Sequence, residues 1–216
     1  MDLLSYSIKF FQEGGLVMYP IMLILAIGIG IAIERYVLLS LSKRNNSKMW
    51  DQLMPLVKNG DYQQAMTLSN RSKSDISKVL MYGLSRIKGA RRREDIETAM
   101  EEGLMEITPR LEKRTHYLSM FANIATLLGL LGTVSGLIAA FTAVAQANPS
   151  EKAELLSASI SIAMNATAFG LITAIPLLFA YTVLQTKTTE LVDSLEMAAV
   201  KFTNMIMERA AVSGAH

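Results

Sequence analysis

An all-α membrane protein, with three transmembrane helices and long cytoplasmic helical extensions, is the fold class that three observations predict. Segments at about 17–39, 118–145 and 156–184 are each apolar enough to cross a bilayer, which takes about 20 residues. Of 216 residues, 51% are hydrophobic and only 19% charged, with a mean hydropathy of +0.30, more apolar than an ordinary soluble domain. Elsewhere the apolar residues recur at helical spacing, and no stretch alternates as a strand would.

Each element has its own justification. Residues 1–15 carry Leu3, Leu4, Ile8, Phe10 and Phe11 and end in Gly14-Gly15, the pattern of a short helix lying on the outer membrane surface, with an ordinary flexible terminus as the alternative. Residues 16–41 form the first transmembrane helix. Only Lys9 precedes the apolar run as a basic residue, and the run exceeds a signal-peptide core, so it reads as a retained span. Glu34 and Arg35 near its cytoplasmic end read as an interfacial pair, an anchor rather than a proton relay.

Residues 42–108 form a cytoplasmic helical region. Trp50, Leu53, Met54 and Val57 are periodic, and Asn59-Gly60-Asp61 supplies a helix stop followed by a cap. Ser74-Asp75 caps a further helix carrying Ile76, Val79, Leu80, Leu84 and Ile87. Gly89 breaks that pattern, and Arg91-Arg92-Arg93 opens a stretch with a charged face of Glu94, Asp95, Glu97, Glu101 and Glu102. Pro109 suits the first turn of a helix, so 109–146 is expected as one long helix containing the second span. Residues 147–151 are a short periplasmic loop, and 152–212 a long helix containing the third span and a cytoplasmic tail. Pro176 kinks that helix, with Thr173 placed to satisfy the freed carbonyl.

The large loop carries Lys43, Arg44, Lys48, Arg91, Arg92, Arg93, Arg110, Lys113 and Arg114, whereas the short loop carries only Lys152. The positive-inside rule therefore puts the N-terminus outside and the loop and C-terminus in the cytoplasm. The net charge of +2 gives no basis for nucleic-acid binding. No cysteine and only His116 and His216 leave no metal cluster or thiol nucleophile, so no enzyme and no cofactor is expected.

The most informative run is Leu127-Leu128-Gly129-Leu130-Leu131-Gly132-Thr133-Val134-Ser135-Gly136. Helices in hydrocarbon associate through small residues that let backbones touch. Gly129, Gly132 and Gly136 share a face, and Gly170 and Pro176 are the packing and kink positions of the third span. Asn123, Thr126, Thr133, Ser135 and Thr142, then Ser157, Ser159, Ser161, Asn165, Thr167, Thr173 and Thr182, suggest an inner polar face. Neither span holds Asp, Glu, His, Lys or Arg, and intramembrane ion transfer normally uses such a titratable group. A carboxylate would have to come from a second polypeptide.

The stretches Leu128-Gly129-Leu130-Leu131-Gly132-Thr133-Val134-Ser135-Gly136-Leu137-Ile138 and Ala163-Met164-Asn165-Ala166-Thr167-Ala168-Phe169-Gly170-Leu171-Ile172-Thr173-Ala174-Ile175-Pro176 resemble the MotA/TolQ/ExbB proton-channel family, most closely its ExbB/TolQ branch. Topology matches along the whole chain. The resemblance implies a homopentameric bundle around a central pore, in the bacterial inner membrane. It implies an ExbD/TolR-like single-span partner, in two copies, whose aspartate lies in that pore. Thr133 and Thr167, with Asn165 and Ser135, are then pore-lining positions on the ion path. The function implied is a stator subunit of a proton-driven motor. Its client would be TonB/TolA-like or gliding machinery, with work in transport, envelope maintenance or gliding. A non-conducting scaffold that packs a single-span partner is the alternative. One departure stands out: the family's glutamate, five residues before the threonine matched by Thr167, is Ile162 here.

Overall fold

The computed structural model of the chain describes residues 15–87, 89 and 92–213, with side chains through Arg209. It contains α1 (Met18–Asn59), α2 (Tyr62–Arg71), α3 (Asp75–Arg86), α4 (Arg93–Glu112), α5 (Thr115–Gln146) and α6 (Lys152–Ser213), and no strand among the described residues. Three of these helices have segments long and apolar enough to cross a membrane, so the chain is a multi-pass membrane protein. The surface segment expected at 1–15 falls, apart from Gly15, outside the described residues.

The chain divides into two compact units: 1–34 with 114–183, and 35–113 with 184–216. In the first, the face between α5 and α6 is built of small residues. Ala122, Ala125, Gly129, Gly132 and Ala140 of α5, and Ala163, Ala166, Gly170 and Ala174 of α6, are buried. Outward-facing Leu127, Ile138, Phe141, Ile175 and Phe179 are exposed. Such a surface would be a defect in water, whereas hydrocarbon accepts it.

The second unit is built like a soluble helical domain. Leu53 and Val57 of α1, Leu80 and Leu84 of α3, Ile96 and Met100 of α4, and Leu195 and Phe202 of α6 are all buried. Gly83 stands where a Cβ would strike Met100 and Phe202, and Gly103 where one would meet Tyr82 and the Val79 backbone. The chain-reversal signals are used. Gly60 takes φ +78° after α1, Asp61 accepts from Gln64 N–H at 3.2 Å, and Ser74 accepts from Ser77 N–H at 3.3 Å. Asp95 accepts the Arg92 N–H at 3.0 Å, a carboxylate in the first turn of α4 where the helix dipole favours it.

Two boundaries and one hydrogen bond differ from the sequence reading. First, no break follows residue 41; α1 continues to Asn59, with Pro55 near its end. Second, Pro109 does not start a helix. It lies inside α4, close enough to the C-terminus that its missing N–H breaks the ladder only near the last turn. The turn falls instead at Lys113-Arg114, where Arg114 takes a left-handed φ of 67° before α5 begins at Thr115. Third, the Thr173 hydroxyl does not serve the carbonyl freed by Pro176. It is fully buried and makes no hydrogen bond among the described residues.

The α5–α6 seam yields a prediction. A Cβ at Gly170 would lie 2.7 Å from the Ala125 carbonyl oxygen and 3.0 Å from the Gly129 Cα, both backbone atoms that cannot rotate away. Gly170→Ala should destabilise the detergent-solubilised protein by about 1–3 kcal/mol. Gly30→Ala, where a Cβ meets nothing within 4 Å, should change stability by less than about 1 kcal/mol. Equal unfolding midpoints for the two variants would refute the contact.

Candidate functional site

Five seam contacts bring α5 and α6 backbone to backbone. A Cβ at Gly129 would lie 3.2 Å from Thr167 Cα, one at Gly170 would strike Ala125 and Gly129, and Gly132 and Gly136 face the Cβ atoms of Ala166 and Ala163. All lie within one copy of the chain. The seam glycines of α5 thus meet the small residues of α6 in the same chain. Pro176 is exposed, and its neighbour Leu177 packs on Gly28 of α1.

Close approach lets a side chain on one helix reach the other's main chain. Thr167 Oγ1 donates to the Gly129 carbonyl at 2.8 Å. In an α-helix that same carbonyl accepts the backbone N–H of Thr133, four residues on. One peptide group thus joins the two threonines. Thr133 itself donates to its own helix, to the Leu130 carbonyl at 2.6 Å. Both hydroxyl hydrogens are taken up by carbonyls, so each oxygen presents lone pairs to any group that approaches.

The other two expected pore residues lie elsewhere. Two positions along a helix turn a side chain by about 200°. Ser135 therefore leaves α5 on the opposite side from Thr133, and Asn165 leaves α6 opposite Thr167. Contacts with residues 15–28, which run into the first turns of α1, identify the sides. On α5, Gly132 is the seam glycine turned toward Ser135, and it meets Val17; on α6, Ile162 and Leu177 meet Gly15 and Gly28. Thr133 and Thr167 both flank the seam away from α1, while Ser135 lies on its α1 side. Ser135 donates to the Leu131 and Gly132 carbonyls at 2.8 and 3.2 Å, and Asn165 is half-buried. Within one copy, Thr133 and Thr167 share a flank of the seam that Ser135 and Asn165 do not. Ile162 is 41% exposed and stands about 140° from Thr167 around α6, off the threonine flank.

Glu34 and Arg35, read as one pair, have different partners. Glu34 accepts two hydrogen bonds from Arg114, at 2.9 and 3.0 Å, in the first unit. Arg35 is 2% exposed and donates to the Leu111 carbonyl, in the second. Leu111 lies in the last turn of α4, where carbonyls lack helical partners and a cation is favoured by the dipole. Sequence adjacency hid both partners. The basic run Arg110, Lys113, Arg114 is the one signal that could have pointed to a carboxylate partner.

The span segments 118–145 and 156–184 carry no Asp, Glu, His, Lys or Arg, and no group of three metal-ligating residues exists among the described residues. The arrangement offers hydroxyl and carbonyl oxygens and no carboxylate or imidazole.

The two threonines should respond differently to removal of the hydroxyl. Thr167→Val deletes an interhelical bond and should destabilise the solubilised chain by about 0.6–1.7 kcal/mol. Thr133→Val deletes only a bond within α5 and should leave the unfolding midpoint nearly unchanged. Equal losses in the two variants would show that the Thr167–Gly129 bond does not bridge the helices.

Comparison with known proteins fits this site to a family. A model of the MotA/TolQ/ExbB proton channel family matches residues 71–197, which hold the α5–α6 seam and both threonines. A Methanothermobacter thermautotrophicus protein whose name reads biopolymer transport protein ExbB homolog is 26% identical over 199 residues, covering 91% of this chain and 69% of that protein. The Tol-Pal system protein TolQ of Haemophilus influenzae is 31% identical over 100 residues, 46% of this chain and 43% of that one. The chain belongs to the MotA/TolQ/ExbB proton channel family, on its ExbB/TolQ branch.

Proposed function

We propose that the chain is the channel-forming stator subunit of a proton-driven motor in the bacterial inner membrane. Five copies form a ring, with the N-terminus periplasmic and the C-terminus cytoplasmic. Two copies of an ExbD/TolR-like single-span subunit stand in the pore, and each brings one aspartate. Proton flow past that aspartate drives relative rotation, and the partner passes the work to a TonB/TolA-like or gliding client.

The observation that supports this reading is the pairing of Thr133 and Thr167 through the Gly129 carbonyl, on the flank of the seam turned away from α1. Neither span carries Asp, Glu, His, Lys or Arg, so the titrating carboxyl has to be the partner's. With their own hydrogens donated to carbonyls, the two oxygens accept from a protonated carboxyl. To donate to its charged form, either threonine must first leave its carbonyl. The pair thus favours the neutral form of the aspartate while it is in contact.

A scaffold that packs the partner without passing ions is supported by one observation: Thr133 is bonded to its own helix, as a purely structural threonine would be. The double variant Thr133→Val, Thr167→Val separates the two readings. Under the motor reading, the complex with the partner still assembles, while gradient-driven client activity falls at least about tenfold. Full activity in an assembled double variant would leave the scaffold reading standing. Topology is tested with a cysteine at Arg92, since the chain has none of its own. It should label from the cytoplasmic side only, and periplasmic labelling would reverse the proposed orientation.

A further inference from the structure

The flank of α5 that carries Thr133 is polar in one direction only. Toward the N-terminal end of the helix, Thr126, Ser119 and Thr115 stand within about 40° of Thr133 around the axis, Asn123 about 80° and His116 about 100°, all on the flank away from α1. Leu130 is the one apolar residue in that arc, and Thr167 reaches the seam beside it, at Gly129. Successive polar groups of α5 are about 5–10 Å apart along the axis, gaps that short files of water can bridge. Toward the C-terminal end the same arc holds Val134, Leu137, Phe141 and Val144, and no polar residue. All these residues belong to the first unit.

The polar run ends at His116. Coming from Thr133 along α5, it is the first Asp, Glu, His, Lys or Arg. It is exposed, just outside the span, and its ring meets Tyr181 of α6 edge-on, with centroids 6.4 Å apart at 73°. That contact holds the imidazole against α6 while leaving the residue open to solvent. The cation nearest in sequence, Arg114, is engaged by Glu34 at 2.9 and 3.0 Å. Thr115 is buried, and its hydroxyl makes no hydrogen bond among the described residues. A water entering the run would satisfy it.

We infer that His116 is the cytoplasmic proton acceptor of the ion path. The inference rests on the proton-motor reading above and adds the residue through which the proton leaves. The partner's carboxyl gives its proton to water held along Thr126, Asn123 and Ser119. The unprotonated nitrogen of the His116 ring binds that proton, and the imidazolium releases one to cytoplasmic water. No electrons change hands. Imidazole suits the step because it both accepts and donates a proton near neutral pH. The apolar arc beyond Thr133 keeps this water from running on to the opposite surface, so the flank opens one way.

The test uses the full chain with its single-span partner in inverted membrane vesicles, whose outer surface is the cytoplasmic one. His116→Ala and His116→Gln should still assemble with the partner, while proton flux falls at least about tenfold. Phosphate added outside, a mobile proton acceptor that does not cross the bilayer, should restore the flux of both variants and leave the unsubstituted complex unchanged. Undiminished flux, a loss that phosphate does not restore, or failure to assemble would each overturn His116 as the acceptor. Rescue only by phosphate sealed inside the vesicles would overturn the direction of the run. No flux through the unsubstituted complex would overturn the proton-motor reading itself, and this inference with it.

Discussion

The contact on which the first unit depends is between main chains. At Gly170 the α6 backbone passes so near the Ala125 carbonyl and the Gly129 Cα that no side chain fits. Water plays no part in pressing these helices together, so the gain comes from dispersion between closely spaced atoms and from a hydrogen bond across the gap. That bond, from Thr167 to Gly129, exists because the glycines permit the approach. The site is a consequence of the seam, and a wider seam would have sent the Thr167 hydroxyl back to its own helix.

Much of the fold is legible in the sequence because it rests on local rules. The spans follow from apolar length, and the reversals at Gly60-Asp61 and Ser74 follow from glycine's tolerance of positive φ and from capping chemistry. The turn between α4 and α5 is not local. Arg35, remote in sequence, closes the last turn of α4 through the Leu111 carbonyl, and Glu34 holds Arg114 in its left-handed conformation. That conformation costs about 1 kcal/mol or more for a residue with a Cβ. Pro109 misleads because proline favours a first turn, where its missing N–H costs little, whereas inside α4 it forgoes one ladder bond, a local cost that the helix accepts.

The candidate site was legible by residue type but not by direction. Threonines and glycines in a charge-free span announce close packing. Which hydroxyl crosses to the neighbouring helix depends on a few tenths of an ångström in backbone separation. Thr133 and Thr167 look alike in sequence, yet one bonds inward to Leu130 and the other across to Gly129. Ser135 and Asn165 belong to the same polar series but fall on the other sides of their helices, because a helix turns by about 100° per residue. A count of polar residues in a span therefore overstates the polar surface facing any one direction.

The order of contacts along the seam bears on how the hairpin forms during synthesis. Gly136–Ala163 lies nearest the short link at 147–151, followed by Gly132–Ala166, then Gly129–Thr167, and last Ala125–Gly170. Each contact closes a loop only slightly larger than the one before, and loop-closure entropy grows slowly with length. The pair can close like a zipper from its link, with Gly136 engaged early and Gly170 late. Early contacts govern how fast such a structure forms, whereas late ones govern how long it lasts. The seam glycines share one chemistry, but by this order Gly136 belongs to the rate of membrane insertion and Gly170 to the lifetime of the inserted hairpin.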